Sequence, residues 1–85
     1  MIVTEATYVE LVRRAMSELL DTPEIAEDAN FFSAGGDSMM AIRLSWRLSK
    51  TTGLELHPAE DIMDDPTPLA IGRRLSEKSQ GAALG

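Results

Sequence analysis

An 85-residue chain with a formal charge of −6, no cysteine and 44% apolar residues fits one small domain with a mostly aliphatic core and no disulfide. Its apolar runs are too short to span a bilayer, and Met1-Ile2-Val3 leads into a polar, acidic segment rather than a basic region followed by an apolar block. No membrane partner is therefore expected, the cytoplasm is the expected compartment, and an acidic chain repels the phosphate backbone of a nucleic acid.

Thr4 can cap a first helix in which Tyr8, Val9, Val12, Ala15, Met16, Leu19 and Leu20 share one side and Glu10, Arg13, Arg14 and Glu18 the other. Asp21-Thr22-Pro23 ends it, because proline cannot continue the hydrogen-bond ladder and restricts its predecessor. No period holds from Pro23 to Ala34, which is longer than the usual connection between helices. Ile25, Phe31 and Phe32 are the expected anchors of this loop, both phenylalanines reading as core.

Gly35-Gly36 then reads as a sharp turn that feeds the next periodic segment. Asp37 is its natural N-cap, expected to accept from the amides of Met39 and Met40, which leaves Ser38 at the first helical position with its hydroxyl in solvent. Wound at about 100° per residue, residues 38 to 50 show two apolar stripes. Ala41, Leu44, Ser45 and Leu48 form the expected core face, and Met39, Ile42 and Trp46 point elsewhere. Either another helix covers this second stripe, or it stays open for partners. Between positions 37 and 54 the chain has one acid and three bases, a basic island in which Arg43, Arg47 and Lys50 read as solvated outer surface.

Gly53 suits the left-handed position beyond the last turn of this helix, and Leu54-Glu55-Leu56 reads as an extended connector. Pro58 opens a short helical turn, Ala59 to Met63, in which Ile62 and Met63 are apolar and Glu60, Asp61 and Asp64 belong to a solvated acidic surface. Thr67-Pro68 is an N-cap and first-position pair opening a last helix, with Leu69, Ile71, Gly72 and Leu75 toward the core and Arg73, Arg74 and Lys78 near its C-terminal end. The expected architecture is all-α, a small four-helix bundle with a long first loop and a short third helix. Residues 1–79 form the expected domain and residues 80–85 a disordered tail.

Chemistry of its own is missing. A serine needs a nearby base to become a nucleophile, yet no G-x-S-x-G elbow surrounds Ser38 and the only histidine, His57, lies far downstream. No Cys or His cluster offers metal ligands, and the acidic pairs lack the alternation of a calcium loop, so no metal and no catalytic residue is expected. The chain reads as a substrate of other enzymes, with Ser38 as the modified group. A kinase site on a helical adaptor is the alternative that uses the same serine.

The stretch F-F-S-A-G-G-D-S followed by apolar residues, with D-I-M-D-D-P-T-P downstream, resembles the acyl and peptidyl carrier proteins, specifically the peptidyl (thiolation) carriers of nonribosomal peptide synthesis. The one departure is Ala34, where that family usually has leucine. The resemblance covers about Tyr8 to Leu75 and implies a covalent 4'-phosphopantetheine on Ser38, with Gly35, Gly36 and Asp37 forming the attachment motif. It implies a phosphopantetheinyl transferase, an adenylating (loading) enzyme and condensation, tailoring or thioesterase-type enzymes as partners, met by a free-standing monomer. Met39, Ile42, Trp46 and Met63 are the expected docking patch. The fatty-acid and polyketide acyl carriers form a close variant; the double glycine and the basic Arg43 and Arg47 count against it.

Overall fold

The computed structural model describes residues 4–84, and among them the chain is all-helical, without a strand. Helix α1 spans Glu5–Leu20, α2 Ser38–Thr52 and α3 Pro68–Leu84, and a short π-helical turn at Pro58–Met63 stands between α2 and α3 as the short third helical element. Helix α1 packs chiefly on α3, while the π turn packs mainly on α2. Tyr8, Val12, Ala15 and Met16 of α1 meet Ala41, Leu44 and Leu48 of α2, Ile62 of the turn and Ile71 and Leu75 of α3 in one aliphatic core.

Local chemistry sets each boundary. Thr4 accepts from the Thr7 amide at the start of α1. Its end falls at Asp21, before Pro23, because Asp21 itself adopts the left-handed conformation (φ 52°) and lets the amides of Asp21 and Thr22 reach the carbonyls of Glu18 and Ser17. Gly53 (φ 75°) closes α2 in the same way. Thr67 Oγ1 accepts from the Ala70 amide to open α3.

The buried row of α3 is Pro68, Ile71, Gly72, Leu75 and Ser76, at the spacing of one helical face. Leu69 was expected in it and is 43% exposed, since Pro68 holds the inward position and its neighbour lies roughly 100° around the helix. Gly72 marks the tightest approach of α1 and α3: a Cβ there would stand 2.8 Å from the Val9 Cα and backbone nitrogen. The helical backbone of α3 runs to Leu84. Arg73 and Arg74 therefore lie in the first half of α3, not near its end, and reach ion pairs with Glu5 (3.8 Å) and Asp64 (2.8 Å).

Asp61 corrects the picture of a solvated acidic surface. It is 7% exposed, its Oδ2 accepts from the His57 amide at 2.7 Å, and Lys78 Nζ of α3 stands 3.3 Å away. The carboxylate satisfies the otherwise free N-cap amide from one turn ahead, and the ammonium ties the π turn to α3. We expect Asp61→Ala to cost about 1–2 kcal/mol, read as a drop of several degrees in thermal midpoint, with Asp61→Asn costing less because its side chain can still accept from His57.

Candidate functional site

The first loop delivers the glycine turn to a fixed place. Arg13 Nε donates to the Ile25 carbonyl at 2.6 Å, the Leu69 amide to Glu27 O at 2.9 Å and the Phe31 amide to Pro66 O at 2.8 Å, so the loop is stitched to α1 and to the start of α3. Ile25 and Phe31 are buried as expected, and Phe31 is fully enclosed. Phe32 is not core. It is 36% exposed and stands edge-on to Phe31, with ring centroids 5.9 Å apart. The reason is the tight turn that follows: Asn30 Oδ1 accepts from the amides of both Phe32 and Ser33, which turns successive side chains apart and leaves the core to Phe31.

Gly35 and Gly36 are both required, for different reasons. Gly35 has φ 117°, a conformation that side chains resist, and its surroundings are open. Gly36 has no positive φ; its Cα lies against the Phe31 ring, and a Cβ would collide with three ring carbons. Amides of Gly35 and Gly36 donate to Phe32 O (3.2 Å) and Phe31 O (2.9 Å), closing the turn over the ring. Ala34 is exposed, so the small side chain at this position leaves no hole in the core.

Asp37 follows as the N-cap of α2, in extended conformation, and its Oδ1 accepts from Met40 N at 2.9 Å. Met39 was also expected to donate to this cap; the carboxylate takes Met40 alone. Ser38 is then the first residue of α2 and is exposed. The first backbone bond of α2 runs from the Ala41 amide to Asp37 O, so the amides of Ser38 and Met39 precede the ladder and face the positive end of the helix. That environment favours a phosphate ester on the serine oxygen, and its exposure leaves room for a long substituent. Among the described residues no side chain hydrogen-bonds the Ser38 hydroxyl, and no group of His, Cys, Asp or Glu is placed to hold a metal ion. Hollows in the surface lie around α1, the first loop and the start of α3, away from this serine.

The two stripes of α2 separate as the spacing indicates. Ala41, Leu44, Ser45 and Leu48 are buried, whereas Met39 is 65% and Trp46 71% exposed. Among the described residues no other helix covers Met39 and Trp46 of the second stripe. Ile42, on its flank, is half-buried, and Met63 of the π turn is partly buried against the core. Arg43, Arg47 and Lys50 are all exposed, as the sequence indicates, and Arg47 in addition meets α1 across the surface, its Nη1 lying 2.9 Å from Glu18 Oε2. No helix among the described residues is long and apolar enough to cross a membrane.

Residues 10–75 match the family model for the phosphopantetheine attachment site. The chain is similar to phosphinothricin tripeptide synthetase PhsB of Streptomyces viridochromogenes, 39% identical over 57 residues, which is 67% of this chain. It spans no more than 5% of the length of the curated relatives it matches first. Its fold is similar to the crystal structure of a free-standing peptidyl carrier protein from an uncharacterized secondary metabolic pathway of Acinetobacter baumannii, with a TM-score of 0.81 and 29% identity over 89% of this chain and 96% of that one. The HMG-ACPI domain from the CurA module of Lyngbya majuscula matches with a TM-score of 0.82 and 27% identity, covering 92% of this chain and 82% of that one.

Proposed function

The chain belongs to the phosphopantetheine attachment-site family and is a non-catalytic carrier of the nonribosomal-peptide type, and from that premise we propose that Ser38 is its attachment residue and Met39, Ile42, Trp46 and Met63 its docking patch. The observation that supports this most directly is the placement of Ser38: an exposed hydroxyl on the first residue of α2, behind a cap and a turn that are both anchored. A phosphopantetheinyl transferase supplies the base that the chain lacks. The Ser38 oxygen forms its bond to the pantetheine-linked phosphorus of coenzyme A, the bond to the departing adenosine bisphosphate breaks, and the hydroxyl proton passes to the transferase. Once attached, the arm supplies a thiol that holds an amino acid or related acyl group as a thioester.

What the chain itself contributes is a fixed root and a small, reversible contact surface. A tethered cargo stays at high effective concentration near each partner without leaving between steps. Loading by an adenylating enzyme and delivery to condensation, tailoring or thioesterase-type enzymes then require only brief docking, which a small apolar patch suits better than a large interface. This reading places the protein in the cytoplasm, where coenzyme A and acyl adenylates are made, and as a monomer. It is tested by incubating the purified chain with coenzyme A and a transferase, following intact mass, and then offering radiolabelled amino acids with an adenylating enzyme. One added phosphopantetheinyl unit and a thiol-dependent label are expected; a folded chain that stays at its original mass overturns the reading.

The docking patch has its own expected result. Trp46→Ala changes stability by less than about 0.5 kcal/mol, because the indole is mostly in solvent and alanine is the better helix former. Loading of the holo protein by the adenylating enzyme falls about tenfold or more, as for a central interface aromatic. Thermal unfolding and loading kinetics check the two halves; a large loss of stability would assign Trp46 to the core.

A further inference from the structure

The chain has eight lysines and arginines, and five of them are engaged: Arg13 with Glu10, Arg47 with Glu18, Arg73 with Glu5, Arg74 with Asp64 and Lys78 with Asp61. Among the described residues, Arg14, Arg43 and Lys50 form no ion pair. Two of these three stand on α2, in an otherwise acidic protein. Their positions are not scattered. Met39, Arg43, Trp46 and Lys50 follow one another at steps of four, three and four, which sets them in a single row opposite the buried stripe of Ala41, Leu44, Ser45 and Leu48. All four are exposed, and the row alternates a large apolar side chain with a free cation.

We infer that this ridge selects its partner electrostatically: the loading enzyme presents an apolar cleft rimmed by carboxylates, which receives Met39 and Trp46 while Arg43 and Lys50 meet the rim. The inference rests on the carrier reading above and adds the chemistry of the partner's surface. Charge complementarity carries it. Between Ser38 and Leu54 there is no acid at all, whereas the rest of the chain carries the acidic excess. An acidic partner is therefore attracted by this ridge and repelled by the surfaces away from it, which fixes both the face and the orientation of encounter. A basic docking face meets the opposite arrangement and is turned away. Arg47 does not contribute a free charge, because Glu18 neutralises it.

The test uses the holo protein and the adenylating enzyme that charges it with a radiolabelled amino acid. Arg43→Glu/Lys50→Glu is expected to fold as the wild type does and to reach complete modification by the transferase, since neither side chain supports the core. Its loading kcat/KM is expected to fall about tenfold to a hundredfold, and the wild-type value to fall several-fold as ionic strength rises from about 50 to about 500 mM, a dependence the variant loses. Changing carboxylates on the rim of the enzyme's cleft to arginine restores loading of the variant. Unchanged loading by the fully modified variant, or wild-type loading indifferent to salt, overturns the electrostatic ridge and leaves the carrier reading intact; absence of modification in the wild type overturns both. If sedimentation showed a wild-type dimer that the double variant dissolves, the ridge would belong to self-association and the inference would fall.

Discussion

Ser38→Ala yields a protein as helical and as stable as the wild type that gains no mass from coenzyme A and transferase, a complete loss of modification. Stability is expected to hold because Ser38 is exposed at the first position of α2 and no described side chain bonds its hydroxyl. Alanine also carries the higher helix propensity, so the change stays within about 0.5 kcal/mol for a surface site. The cap belongs to Asp37 and the turn to the glycines and Phe31, none of which the substitution touches. Failure of modification can then be ascribed to the missing oxygen alone. Ser33 is the informative control, being exposed on the loop only a few residues earlier, whereas Ser45 is buried in the α2 core face. A Ser38→Ala protein that still gains a phosphopantetheinyl unit, with the label mapped to Ser33, would move the site. Wild-type protein that takes a single phosphate from a kinase and nothing from the transferase would favour the adaptor reading.

The two faces of α2 were legible because a 3.6-residue period is local: the spacing of Ala41, Leu44, Ser45 and Leu48 needs no knowledge of what covers them. The Asp37 cap was legible for the same reason, its partner lying three residues on. What escaped was set by contacts distant in sequence or by competition between neighbours. Phe31 and Phe32 are chemically alike and adjacent, and only the Asn30 turn decides which one enters the core. Leu69 yields the inward position to Pro68, whose ring both starts the helix and fills the core, a double use that the sequence pattern does not reveal. Asp61 is buried because a lysine on α3 and an amide at His57 compensate it, and nothing in the run Glu60-Asp61 distinguishes the two acids. A Gly-Gly pair reads as backbone freedom at both positions, whereas Gly36 is required for space against a ring five residues earlier.

That ring is where stability and the position of Ser38 meet, and Phe31→Ala is expected to cost about 3–5 kcal/mol, as for a fully buried aromatic. For a domain of this length, whose whole stability is of order 4–13 kcal/mol, such a loss is measurable as a large shift in denaturant midpoint. Gly36→Ala in the wild type costs about 1–3 kcal/mol, because the new methyl group must displace the Phe31 ring while the backbone angles themselves accept alanine. Combining the two separates space from conformation. If the ring is what excludes a side chain, Gly36→Ala becomes nearly neutral in the Phe31→Ala background, a coupling of about 1–3 kcal/mol in a double-mutant cycle. Gly35→Ala offers the contrast: its φ of 117° stays unfavourable whatever lies at position 31, so its cost is expected to persist unchanged in both backgrounds. Additive costs for Gly36 and Phe31 in urea unfolding would show that the turn is not seated on the ring, and that the fixed root for Ser38 lies elsewhere.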